Sequence, residues 1–386
     1  MKSWLLETLR CPACAEAHRP GELGVAGIES REPGAGLAPG QTLVEGVLAC
    51  STCQARYPVL DEAPRMLPIP DLTAAELAVM ERGVPRLSAA AEGGGMDPQE
   101  RENRIREVIL RDYGYPTSGN SWKRAMEDFA YQQSYPRSRV YQMKLLRRLI
   151  GTAPEVLLDI GGGSGGNLEA ARQAFPLRHG IVADLRTDWP PLYQTGDRSI
   201  AYVRADARRL PFRSSAFELV ISSFLIEHVH EWQRVVREAT RLGTFAFIGF
   251  GPNRSFPVEL GHFDVPLVHC LPPSAGSLAA LGWGTLTGNR RSWRNIRRTL
   301  TEMNYISSSE YYVFCRSQGL RCKNIFVEMF EAWALEGKQG MRGLLGRNPG
   351  LTRKLSRFLV SLGAEPNIYS LIHSGPAEES APAPSR

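Results

Sequence analysis

Three carboxylates and a run of glycines in the middle of the chain have the types and spacing of a nucleotide-binding site. Val156-Leu157-Leu158-Asp159 is an apolar run closed by an acid, and Gly161, Gly163 and Gly166 follow it as G-x-G-x-x-G. Glycines let the backbone turn tightly and let a ligand approach without interference from a Cβ. The spacing is a dinucleotide fingerprint, and alone it suits a nicotinamide enzyme as well as other nucleotide binders. Asp184 closes the next apolar run, where a carboxylate can accept hydrogen bonds from two ribose hydroxyls. A third acid, Asp206, stands in Arg204-Ala-Asp-Ala-Arg-Arg-Leu-Pro-Phe212.

The cysteines make a second constellation. Cys11-Pro-Ala-Cys14 and Cys50-Ser-Thr-Cys53 are two C-x-x-C pairs, whereas Cys270, Cys315 and Cys322 are scattered. One such pair alone could be redox-active. Two pairs without a thioredoxin-like pattern supply four thiolates for a tetrahedral zinc ion. That set is closed, so the expected metal is structural rather than catalytic.

These residues need elements to hold them. From about residue 137 the pattern alternates helix and strand. Tyr141, Leu145, Leu146, Leu149 and Ile150 form a helical stripe, and apolar runs follow at 156–159, 180–184, 201–203, 219–222 and 245–248. Further strands are expected at 324–327 and 368–372. Short, wholly apolar strands between helices predict an α/β fold with a mostly parallel sheet covered on both faces. Upstream, Leu72, Ala75, Leu77 and Met80 suggest a short helix, and a charged helix is expected over 98–111. The chain therefore divides into a small zinc-binding unit over 1–70, a helical connector over 71–136, the α/β domain over 137–374 and a disordered tail over 375–386.

Length and composition agree with this. The 386 residues are 43% hydrophobic, enough for a large α/β domain and a smaller unit. No apolar run is long enough to span a membrane, and the N-terminus lacks the pattern of a signal peptide. A cytoplasmic protein with reduced thiols is expected. The net charge of +6 permits nucleic-acid binding without requiring it.

Taken in order, the central motifs resemble the class I S-adenosylmethionine-dependent methyltransferases, in particular the group containing the ubiquinone and menaquinone C-methyltransferases. The shared pattern is Asp159-Ile-Gly-Gly-Gly-Ser-Gly165, then Asp184, then Asp206-Ala-Arg-Arg-Leu-Pro-Phe212, then Phe217-Glu-Leu-Val220. The resemblance implies a Rossmann-like, seven-stranded, mostly parallel sheet and S-adenosylmethionine as cofactor. It places Asp159 and the backbone of Gly161, Gly163 and Gly165 at the cofactor's amino-acid end. Asp184 would hold the ribose, Asp206 and Ala207 the adenine, and Ser222 and Ser223 would line the site after the fourth strand. The family's Leu-Lys-Pro-Gly-Gly before strand five is replaced by Thr240-Arg-Leu-Gly-Thr244, an architectural change.

The N-terminus resembles the small zinc-ribbon proteins that activate tRNA and protein methyltransferases. The likeness lies in Trp4-Leu-Leu-Glu-Thr-Leu-Arg-Cys-Pro-Ala-Cys14 and in Tyr57-Pro58 through Pro64 and Leu67. It implies a zinc-ribbon domain that supports a methyltransferase, here in cis, or receives a protein partner. The Gly/Pro-rich insert between the cysteine pairs departs from it.

Methyl transfer from a sulfonium is an in-line displacement in which the protein chiefly positions the nucleophile. A base is needed only if the nucleophile keeps its proton. Candidates are His228, in Ile226-Glu-His-Val-His-Glu-Trp232, and Glu259 with His262, in the segment after strand five that resembles a substrate-side insertion of some of these enzymes. Alternatively, His228 caps or packs a helix and His262 braces a loop. Arg290, Arg291, Arg294, Arg297 and Arg298 around Trp293 suit either a solvated helix face or an anionic partner. The expected acceptor is a small molecule, lipid-like, glycan or natural product. RNA is the alternative, because ribosomal RNA guanine methyltransferases also place a zinc module before this fold. A non-catalytic, cofactor-binding scaffold for a partner enzyme is the third reading.

Overall fold

The fold was taken from a computed structural model. It describes residues 1–17, 19–26, 37, 41–83, 85–89, 136–163, 165–186, 199–259, 265–287, 293–335 and 340–374. The helix expected over 98–111, His262, Arg290, Arg291 and the tail after 374 lie outside these residues.

The N-terminal part carries helices α1 (Ser3–Thr8) and α2 (Pro12–Glu16) and an antiparallel sheet. Its strands are β1 (Leu23–Val25), β2 (Gln41–Cys50), β3 (Arg56–Leu60) and β4 (Ala63–Pro64), paired in chain order. A fifth strand, β5 (Arg86–Ala89), pairs with β2, so this sheet draws on residues beyond 70. Between them lies α3 (Ala74–Arg82), opened by a reciprocal Thr73–Glu76 capping box and closed by Gly83 in the left-handed region.

Helix α4 (Pro136–Ile150) leads into the second sheet, built from β6 (Val156–Ile160), β7 (His179–Asp184), β8 (Ile200–Arg204), β9 (Phe217–Ser223) and β10 (Gly243–Phe250). Helix α5 (Gly166–Arg172) follows β6, and α6 (Trp232–Leu242) precedes β10. After a two-stranded ribbon of β11 (Val258–Glu259) and β12 (Val265–Pro266) come α7 (Pro273–Thr287), α8 (Trp293–Glu302) and α9 (Ser308–Ser317). Strand β13 (Arg321–Asn324), helices α10 (Phe326–Leu335), α11 (Gly340–Arg347) and α12 (Pro349–Ser361), and strand β14 (Ile368–His373) complete the chain. The seven strands lie in the order β13-β14-β10-β9-β6-β7-β8. The four pairings among β6 to β10 are parallel, and β14 runs antiparallel to both neighbours. This is the mostly parallel, Rossmann-like sheet expected from the sequence.

Alternation along the strands divides two cores. Leu157, Val182, Leu219, Ile221 and Phe247 face α4, α5 and α10, meeting Met143, Leu146, Leu168 and Met329. Leu158, Ile160, Ile181, Val220 and Ile248 face the other way, onto Trp232, Val235 and Val236 of α6 and Tyr311 of α9. The strand expected at 324–327 is displaced: β13 ends at Asn324, whose side-chain oxygen accepts from Phe326 N at 2.8 Å as α10 begins.

The N-terminal sheet sits on the β8 edge. Arg65 pairs in parallel with Arg204, and Leu9 bridges to Phe212. Met66 N donates to Arg204 O at 2.8 Å, Arg10 N to Pro211 O at 2.9 Å and Arg213 N to Thr8 O at 3.0 Å. Leu5, Leu9, Leu48 and Val59 share one apolar cluster with Phe212, Phe217 and Trp232. An edge strand with unpaired backbone groups is thereby covered.

Candidate functional site

The glycine loop joins β6 to α5 and crosses the end of β7. Gly161, Gly163 and Gly165 all have positive φ (68°, 51° and 84°), where a side chain is strained. Gly161 N donates to Ala183 O at 2.7 Å, and a Cβ there would press on Leu225 in the loop after β9. A Cβ on Gly163 would meet no atom within 4 Å, so the loop presents an open backbone face at that point. Gly163 N donates to Asp184 Oδ2 at 2.9 Å, and Arg186 N to Asp184 Oδ1 at 2.9 Å. Loop and second acid are thus one hydrogen-bonded unit.

Asp159 lies beneath the loop, fully buried. Its Oδ1 accepts from Asn167 Nδ2 at 3.0 Å, while Oδ2 has no hydrogen-bonding partner among the described residues. Burial pushes its carboxyl up to about 7, against the opposing effects of the Asn167 hydrogen bond and the Arg139 charge. A buried acid with an unused oxygen, below an open backbone turn, has the chemistry to hold a ligand's cationic donor. The observed donor set therefore fits the amino-acid end of S-adenosylmethionine.

Asp206 follows β8. Its carboxylate is held low despite partial burial, because Arg208 donates to it from the side chain at 2.6 Å and from the backbone at 2.8 Å. Arg208 also reaches Glu231 at 2.9 Å. Ala207 is half-buried beside it. Ser222, the penultimate residue of β9, has a buried Oγ with no partner among the described residues, and Ser223, which ends the strand, is half-buried.

On the side after β9, His228 is exposed. Its neighbour Glu227, which the sequence reading passed over, is buried. Burial pushes the Glu227 carboxyl up to about 8, opposed by hydrogen bonds from its own and the Gly251 backbone, and Oε2 has no partner among the described residues. Asn304 N donates to Glu227 O at 2.6 Å, and His230 Nδ1 lies 2.9 Å from Asn304 Oδ1. The next residue, Tyr305, has a buried hydroxyl without a partner among the described residues, and its pKa is raised by burial and by the charge of Glu259. Glu259 is buried on β11. The Asn304–Tyr305 segment therefore meets the Glu227 backbone on one side and feels the charge of Glu259 on the other. Of the Arg290–Arg298 group, Arg297 is exposed on α8, whose Ile296 and Leu300 face inward.

The four N-terminal cysteines converge, their Sγ atoms all within 4.8 Å of one another. Cys11 and Cys53 are 3.5 Å apart and Cys14 and Cys50 3.7 Å. A zinc tetrahedron with Zn–S bonds of about 2.3 Å has edges of about 3.8 Å, so the set fits. Tyr57 Oη lies 3.3 Å from Cys11 Sγ. Any side chain at Gly21 would overlap Cys14, with Sγ 2.8 Å from its Cβ.

Residues 158–244 match the profile of a methyltransferase domain family. This match covers the glycine loop, all three acids and β9. The chain thus contains a segment similar to a methyltransferase domain. It is also similar to malonyl-[acyl-carrier protein] O-methyltransferase of Geobacter sulfurreducens, 29% identical over 135 residues, covering 30% of this chain and 49% of the relative. The alignment thus spans about half the length of that relative. Among solved structures, a plantazolicin methyltransferase bound to SAH superposes with a TM-score of 0.41 at 11% identity, over 71% of this chain and 96% of that one. A complex between the Haloferax volcanii Trm112 methyltransferase activator and a methyltransferase gives 0.38 at 13% identity, over 71% and 95%.

Proposed function

We propose that the protein transfers the methyl group of S-adenosylmethionine to a small-molecule acceptor. The observation that carries this reading is the convergence of buried Asp159, the open turn at Gly163 and the tethered Asp184. When bound, S-adenosylmethionine supplies a methyl group already activated on a sulfonium. Asp159 receives the amino-acid end with the Gly161–Gly165 backbone, Asp184 the ribose, and Asp206 with Ala207 the adenine. Ser222 and Ser223 line the same side.

The acceptor side is assigned to Glu227 and Glu259, with Tyr305 and Asn304 between them. Glu227 reaches neutral pH protonated, so it can donate to an acceptor oxygen or exchange a proton with it. His262 joins Glu259 as orienter, and His228, at the surface, serves the mouth of the site. The similarity to an O-methyltransferase named for an acyl-carrier substrate supports an acceptor other than RNA. The cysteine unit is read as a structural zinc ribbon that supports the domain in cis across β8. The chain is divided at 70, 136 and 374, with β5 returning from the connector to the N-terminal sheet.

The test has two arms. Calorimetric titration should show S-adenosylmethionine binding that NAD does not displace. Binding should weaken as pH falls below about 7, where Asp159 gains its proton. Asp159→Asn should weaken binding at least tenfold and remove that pH dependence. In the second arm, labelled cofactor is incubated with cell extract with and without ribonuclease, and the products are analysed by mass. Label in ribonuclease-resistant small molecules supports the reading; ribonuclease-sensitive label sinks it in favour of an RNA acceptor. Binding without any transferred label leaves the scaffold reading.

A further inference from the structure

Helix α12 is turned the opposite way from a helix that serves only a core. It buries two small polar residues, Thr352 at 1% exposure and Ser356 at 0%. It turns outward Leu351 (53% exposed), Leu355 (38%) and Phe358 (59%), and Leu362 (61%) follows directly after its end. Those positions are i, i+4, i+7 and i+11, which at 3.6 residues per turn fall within about 60° of the helix circumference. Single exposed leucines are ordinary, but an aligned row of four is a surface patch.

The orientation is fixed by the inward side. Thr352 Oγ1 donates to Leu345 O at 2.7 Å, and Ser356 Oγ to Arg353 O at 3.1 Å, so the buried polar groups are satisfied. Arg353 grips Glu331 of α10 with both guanidinium arms, at 2.5 and 2.9 Å. Rolling the helix to bury its apolar row would break the Thr352–Leu345 and Arg353–Glu331 bonds, which reach neighbouring helices. In α11, which Thr352 meets at Leu345 O, Leu344 is also exposed.

Charge selects the occupant. Residues 340–363 contain five cations (Arg342, Arg347, Arg353, Lys354 and Arg357) and no acid. Arg347, Lys354 and Arg357 are exposed, and Lys354 borders the apolar row. A second copy docking by the same face would set these cations against their equivalents, which opposes association. An apolar row edged by arginine and lysine matches instead the interface of an anionic bilayer, where acyl chains receive the leucines and headgroups the cations.

We propose that α11 and α12 form a docking face for anionic lipid membranes, lying on the bilayer surface. No described helix is long and apolar enough to cross one. The inference does not depend on the methyl-transfer reading.

Full-length protein is sedimented with vesicles of phosphatidylcholine alone or mixed with phosphatidylglycerol. Binding to the mixed vesicles should exceed binding to neutral ones at least tenfold and fall with salt. Leu355→Ser with Phe358→Ser should reduce it at least tenfold while thermal melting and S-adenosylmethionine affinity stay as in the parent. Lys354→Glu with Arg357→Glu, which keeps the apolar row, should also weaken it. Absence of preference for anionic vesicles overturns the proposal. So does a dimer in sedimentation equilibrium that Phe358→Ser dissociates, because the face would then serve a second copy.

Discussion

Glu227 and His228 are adjacent in sequence, yet only Glu227 is inside the protein. Both lie in the segment after the fourth strand, but a short 3-10 turn at Ile226–His228 decides which side chain enters. That turn is set by contacts with Gly251 and Asn304, far along the chain, so no local pattern announces it. Asp159 and Asp184 stand out in the sequence because each is an acid at or next to the end of a near-continuous apolar strand. Burying Glu227 has a measurable consequence. Its folded value of about 8 lies above the ordinary 4.5, so the folded state holds the proton more tightly than the unfolded chain. The resulting stabilisation is full below about pH 4.5 and is lost as pH rises through about 8. Glu227→Gln removes this dependence. Measured by thermal melts across pH, the variant should gain on the parent with rising pH, by an amount on the order of a few kcal/mol, and level off above about 8. A difference that stays constant with pH would show that Glu227 is not held protonated.

Elements with two buried faces were readable and edge elements were not. Strands β6, β7, β9 and β10 are near-continuous apolar runs because helices cover both sides of the sheet. Strand β13, Arg321-Cys322-Lys323-Asn324, lies at the edge, where charge is tolerated and helps prevent edge pairing, so the apolar Ile325–Val327 drew the expectation past it. Strand β5 escaped for a related reason: its short Arg86-Leu-Ser-Ala89 run is held by pairing with β2 rather than by an apolar pattern of its own. The cysteine pairs were legible from spacing alone, but the role of Gly21 was not. It packs against Cys14 so closely that no side chain fits, although it is distant from both C-x-x-C pairs in any motif. Gly21→Ala should therefore force the cysteine cluster apart. Protein purified without chelator should contain one zinc by metal analysis, whereas the variant should carry markedly less and melt earlier at its N-terminal unit. A chelator should bring the parent to the same state. Retention of full zinc by Gly21→Ala would show that the four thiols are not held by this packing.

At the scale of the molecule, the two sheets meet around one carboxylate. Glu76 is almost fully buried, with Oε1 3.2 Å from Arg65 Nε and Oε2 2.7 Å from Arg204 Nη1. The same Oε2 accepts from Thr73 N at 2.7 Å, closing the capping box of α3. One side chain thus ties the N-terminal sheet, the helix beside it and edge strand β8 of the methyltransferase domain. The parallel pairing of Arg65 with Arg204 lies at the same junction, where backbone and ion pair reinforce each other. Removing one partner from a buried ionic cluster costs about 3–5 kcal/mol, because the remaining charges stay buried without compensation. Glu76→Ala leaves Arg65 and Arg204 facing each other at this contact, and the capping box of α3 loses its return bond to Thr73 N. Scanning calorimetry of the parent should give one cooperative transition, since both sheets share an apolar cluster. The variant should split into an early N-terminal transition and a later one for the α/β domain. S-adenosylmethionine should raise only the later transition, because Asp159 and Asp184 lie wholly in that domain. If Glu76→Ala still unfolds in a single step that the cofactor shifts as a whole, the apolar contact between Leu9 and Phe212 is enough to couple the two sheets without the carboxylate.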